Sequence, residues 1–107
     1  MKVVVKYPGC QPNIREIDGS LESLQDIVGG WIEHVGIRKG LGMIINEEGK
    51  LHGLPENFAF RGDMIVGPAI FVGEAGEDFT DVPEDFLEFN SDFSEDMEVL
   101  KAILKLR

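Results

Sequence analysis

The side chains with most chemical reach in this 107-residue chain are one cysteine, two histidines and twenty carboxylates. A thiol nucleophile needs a base beside it, and zinc needs several Cys, His or carboxylate ligands converging on one point. Cys10 lies in the turn-forming run from Tyr7 to Pro12, and no spacing brings His34 or His52 to it. An inert thiol is the expectation, with no catalytic residue, no metal and no other cofactor. His34 reads as a partly buried strand residue and His52 as a solvated one in a hairpin. The phosphate-cradling patterns G-x-x-x-x-G-K-[ST] and G-x-G-x-x-G are missing. Arg61-Gly62-Asp63 reads as a tight turn before a strand. Glu74-Ala75-Gly76-Glu77-Asp78 collects hard oxygen ligands but lacks the alternation and terminal bidentate Glu of a calcium loop. It is expected to hold Ca²⁺ or Mg²⁺ adventitiously at most.

The carboxylates are unevenly placed. Residues Glu74 to Glu98 contain eleven acids and no Lys or Arg, so this segment carries −11 of a formal charge of −10, and the remainder is close to neutral. A chain so charged is a poor candidate for neutralising nucleic-acid phosphates. General acid–base work would need one carboxyl raised in pKa by burial, and these acids read as solvated. Four of the seven phenylalanines (Phe79, Phe86, Phe89 and Phe93) share the segment. The plain reading has the phenylalanines covering a sheet while the acids face water. The sharper reading makes Glu77, Asp78, Asp81, Glu84, Asp85, Glu88 and Asp92 a negative surface for a basic protein, since rows of carboxylates can stand in for phosphates.

The elements that must position these residues fit one α+β domain: a small, mainly antiparallel sheet packed by one short N-terminal helix and acidic C-terminal helices. Its length suits a single core over residues 1–107. Residues 1–73 read as a near-neutral body, and residues 74–107 as an acidic, Phe-containing helical region. The β-branched run Lys2–Tyr7 predicts a strand, with Asn13–Ile17 pairing back on it. Ser20 is placed to cap a helix carrying Leu21, Leu24, Ile27 and Val28, with Gly29-Gly30 as its stop. Trp31–Val35 reads as extended, ending at the Gly36 to Gly42 region. Leu41–Asn46 and Lys50–His52 read as a hairpin about Glu47-Glu48-Gly49, and Leu54–Asn57 as a turn or a single helical turn. Met64–Val72 reads as one buried strand with a bulge or an edge at Pro68. Asp81 and Glu84 fit a capping box for a helix bearing Phe86, Leu87 and Phe89, and a longer helix is expected over Ser94–Leu106. No stretch approaches a membrane span or a signal-peptide core, so a cytoplasmic protein is expected.

The stretches EIDGSLESLQDIVGGWIE from Glu16, NEEGKLHGLPEN from Asn46 and GDMIVGPAIFVG from Gly62, followed by Asp78-Phe79-Thr80, occur in that order. In these the chain resembles a small domain of unknown function from phages, prophages and conjugative elements, chiefly of Gram-positive bacteria. The resemblance spans roughly residues 2 to 80 and departs around Arg38-Lys39-Gly40, with the Phe/acid region outside the recognisable core. It implies a mobile-element accessory protein in a setting rich in anti-defence genes, and it brings no catalytic residues with it.

Two functions compete. One is a non-enzymatic inhibitor that binds a host nucleic-acid-handling or defence protein through the acidic face, as anti-CRISPR and anti-restriction proteins do. Its partner is a basic protein, a nuclease being one candidate. The other is a sponge for a small molecule or nucleotide signal, in which Trp31 stacks on a base and Arg38, Lys39 and Arg61 pair with phosphate. A hydrolase or transferase relying on His34 or His52 ranks below both. A homodimer through the Pro68 strand or the C-terminal helix is a further candidate.

Overall fold

The computed structural model describes residues 1–86. Its strands are β1 (Lys2–Lys6), β2 (Asn13–Glu16), β3 (Ile32–Arg38), β4 (Leu41–Asn46), β5 (Glu56–Phe60), β6 (Asp63–Val66), β7 (Ala69–Ala75) and β8 (Asp78–Thr80), with helix α1 (Leu21–Val28) between β2 and β3. The main sheet runs β2-β1-β7-β4-β3, with β8 also paired to β7, while β5 and β6 form a separate hairpin. Every pairing is antiparallel. The expected α+β class is therefore the observed one.

Strand alternation sorts side chains onto two faces. Val3, Val5, Ile44, Ile70 and Val72 face one way and pack against Leu24 and Val28 of α1. Val4, Met43, Ala69 and Phe71 face the other way, under Phe58, Phe60 and Ile65 of the β5–β6 hairpin and under Phe86. Phe71 centres this second layer, stacked on Phe58 at 6.0 Å and tilted against Phe86 at 5.0 Å between ring centroids. Burying side chains of this size stabilises by about 1.5–3 kcal/mol each.

Local signals set α1. Ser20 Oγ accepts the Ser23 N–H at 3.1 Å, and Asp18 Oδ1 accepts the Ser20 N–H at 2.8 Å. Gly29 ends the helix at φ 82°, a left-handed conformation that costs glycine little. The Ser20 carbonyl also receives the Ser23 hydroxyl. The bond from Ser20 holds the Asp18 carboxyl below the ordinary carboxylate range.

Several expectations need correction. Met64–Val72 is not one strand: Gly67-Pro68 separates β6 from β7, which lie in different sheets. Gly67 turns at φ 73° and Pro68 has no N–H to continue a ladder. Lys50–His52 is turn rather than strand, and β4 pairs instead with β3 and β7. The segment after Pro55 is β5, not a helical turn. β3 runs on through Gly36 to Arg38, with a bulge between these two. β8 was absent from the reading of the sequence, and β7 carries the main sheet past residue 74 into the acidic segment. A helix begins at Glu84, but Asp81 is not its cap: its carboxylate accepts the Lys2 N–H at 2.9 Å. The helix expected over Ser94–Leu106 lies outside the described residues. Among the described residues, no helix is long and apolar enough to cross a membrane.

Candidate binding surfaces

The antiparallel pairing of Arg38 with Leu41, Leu41 with Gly73 and Gly73 with Thr80 sets the end of β3, the start of β4 and the β7–β8 turn at one end of the sheet. Val82 N–H donates to Lys2 O at 2.9 Å and brings the start of β1 to the same end. Glu77, Asp78, Asp81, Glu84 and Asp85 thereby collect there. Glu88 and Asp92 lie outside the described residues. The gathered acids divide by role. Asp85 receives two hydrogen bonds from Arg38 Nη2, at 2.9 and 3.0 Å, and Asp81 ties down the Lys2 backbone N–H. Glu77, Asp78 and Glu84 are exposed and have no cation beside them among the described residues. Gly73 is what lets the segment close in, because a Cβ there would strike the Asp81 backbone carbonyl.

Trp31, Arg38, Lys39 and Arg61 do not share a pocket. Trp31 precedes β3 while Arg38 ends it, a separation of roughly 20 Å along an extended strand. Arg38 is spent on Asp85, and its Nε is buried without a hydrogen-bond partner among the described residues. Arg61, at φ 51°, donates to the Gly36 and Ile37 carbonyls and lies 4.7 Å from the centroid of the Phe60 ring. Of these three cations, Lys39 alone keeps an exposed charge without a partner among the described residues, in the β3–β4 turn. Cys10 is an exposed free thiol. His52 is exposed, with Glu48 at 3.5 Å.

Two features were not foreseen. His34 Nε2 on β3 meets Glu74 Oε2 on β7, spanning β4 at Gly42, where any Cβ would collide with both side chains. The Phe79 ring meets His34 edge-on at 5.2 Å. The hydrogen-bonded pair joins residues 40 apart in sequence, so only the glycine in the intervening strand hinted at it. A histidine–carboxylate pair can move a proton, yet no described thiol or hydroxyl bonds to it. The second feature is a recess of about 310 Å³ between the β3–β4 face and the β5–β6 hairpin. Val35, Ile45, Phe60 and Ile65 supply apolar lining, and Glu33, Glu47, Lys50, Asp63 and Arg61 supply charge. Lys50 pairs with Asp63 and holds that carboxyl below its ordinary range. Among the described residues, no group of three or more His, Cys, Asp or Glu is placed to hold a metal ion.

No curated protein and no solved structure matches the chain. A family model does, over residues 1–97, and so reaches well past residue 80 into the acidic segment. Glu77 through Asp92 thus fall inside the shared domain instead of trailing it, and the chain belongs to the family described as Domain of unknown function (DUF3846).

Proposed function

We propose that the protein is a non-enzymatic binding protein whose acidic end engages a basic protein partner. The observation that carries this reading is the unequal use of charge. Glu77, Asp78 and Glu84 stand exposed without cations among the described residues, at an end whose Arg38 is already held by Asp85. Uncompensated carboxylates project a field that steers a Lys/Arg-rich surface and fixes its orientation.

The setting we infer is a mobile genetic element inside a bacterial cytoplasm, with a host nucleic-acid-handling or defence protein, such as a nuclease, as the target and inhibition as the outcome. The sponge for a nucleotide signal is the weaker reading, because Arg38 and Arg61 are consumed within the fold. Affinity capture from a bacterial host lysate, at low and at high salt, tests the proposal. A basic protein retained at low salt and released at high salt supports it. Capture that ignores salt, or a thermal shift with cyclic nucleotides in place of any capture, overturns it.

A further inference from the structure

β3 is an outer strand of the main sheet, and which of its backbone groups face outward follows from one bond. Glu47 N–H donates to Trp31 O at 2.8 Å, so Trp31 pairs with Glu47 through hydrogen bonds, as Glu33 does with Ile45 and Val35 with Met43. Ile32, His34 and Gly36 then turn their N–H and C=O groups away from the sheet. At the far end this edge is closed. The bulge between Gly36 and Arg38 interrupts it, and Arg61 occupies the Gly36 and Ile37 carbonyls. At Ile32 and His34 nothing among the described residues pairs with it, and an open edge is a template for another strand.

The recess lies beside the same stretch. Glu33 and Val35 reach it from β3 itself, and Glu47 reaches it from β4. Glu33 and Glu47 have no cation partner among the described residues, whereas Lys50 is paired with Asp63 and Arg61 is bonded to backbone. Its apolar lining and two unpaired carboxylates suit a long side chain with an aliphatic stem and a positive head. A residue placed opposite Glu33 in an added strand would send its side chain to the same face, over the recess.

We infer that the β3 edge takes an extended segment of a partner protein, paired through Ile32 and His34, with a lysine or arginine side chain seated against Glu33 and Glu47. Main-chain bonds supply affinity and the recess supplies selectivity, the usual division in strand addition. The inference concerns a surface separate from the exposed acids of Glu77 to Glu84 and stands whether or not those acids bind anything.

The test is amide mapping by NMR on the full chain, titrated with a short synthetic peptide alternating valine and lysine. Expected are shifts at Ile32, Glu33, His34 and the β6 residues of the recess, and about tenfold weaker binding for the same peptide with glutamate in place of lysine. Methylating the peptide amides that would pair abolishes binding. The double variant Glu33→Lys/Glu47→Lys loses about tenfold as well. His34→Pro removes an outward N–H at an edge position that tolerates proline and weakens binding, while His34→Ala does not. Shifts confined to residues 77–85, equal binding of the methylated peptide, or no binding at all would each overturn the inference.

Discussion

The cations and the carboxylates of this molecule are treated differently by its fold. Of the seven Lys and Arg side chains in residues 1–86, five are engaged: Lys6 with Asn57 and the Tyr7 carbonyl, Arg15 with the Tyr7 hydroxyl, Arg38 with Asp85, Lys50 with Asp63, and Arg61 with two carbonyls. At the acidic end, by contrast, Glu77, Asp78 and Glu84 are left to solvent. The difference favours the first of two proposed functions that composition alone leaves level. A body that spends its cations on holding itself together offers little to an anionic ligand. An end that leaves its carboxylates unspent is equipped for a cationic one.

The sharpest way to break this contrast is charge reversal. The triple variant Glu77→Lys/Asp78→Lys/Glu84→Lys should lose about 100-fold or more in affinity for a captured basic partner, because like charges then face one another. Its melting temperature should stay close to the parent's, since these side chains pair with no cation among the described residues. Next in size is Gly73→Ala, which drives a methyl group into the Asp81 carbonyl. Overpacking against backbone should cost about 1–3 kcal/mol in urea denaturation, and the loosened acidic end should bind less tightly.

Lys6 sharpens the cation half of the comparison. It is only 2 % exposed and its hydrogen-bond acceptors are both neutral, so burial pushes its pKa below the ordinary 10.5, with nearby Cys10 opposing. The unfolded chain therefore binds a proton that the folded chain has released between the lowered pKa and 10.5. Stability gained from this group rises with pH across that window, and the difference between the parent and Lys6→Met, followed by urea denaturation in alkaline buffers, should show the rise. The smallest effect belongs to Asp18. Its depressed pKa, caused first by the Ser20 backbone N–H, gives stability that is present above 3.8 and lost as pH falls through the lowered value. Asp18→Asn should flatten that acid limb when melting temperature is followed against pH.

Much of this was legible where the physics is local. The Ser20 cap, the Gly29 stop and the pairing of Asn13–Glu16 with β1 depend on neighbours in sequence, and each lies where pattern and turn chemistry put it. Errors arose where tertiary partners decide. An apolar run from Met64 to Val72 looks alike whether it is one strand or two folded about Gly67-Pro68, and only the hairpin packing under Phe58 and Phe60 chooses. β5 was missed because its five residues pair only with β6 across a turn at Arg61-Gly62. Arg38 and Arg61 read as available because composition shows a charge but not whether the fold has used it. The acids could be located in the sequence, whereas their convergence on one end needed the register of β7 with β8 and β4.

The central claim is that the exposed carboxylates recognise a basic protein. It is tested most directly by titrating the captured partner against the full chain over a range of ionic strength. The account predicts an affinity that falls steeply and steadily with added salt for the parent chain, and a weak, nearly salt-independent one for the charge-reversed triple variant. A parent affinity that stays flat with salt, or a triple variant that binds as the parent does, would contradict it.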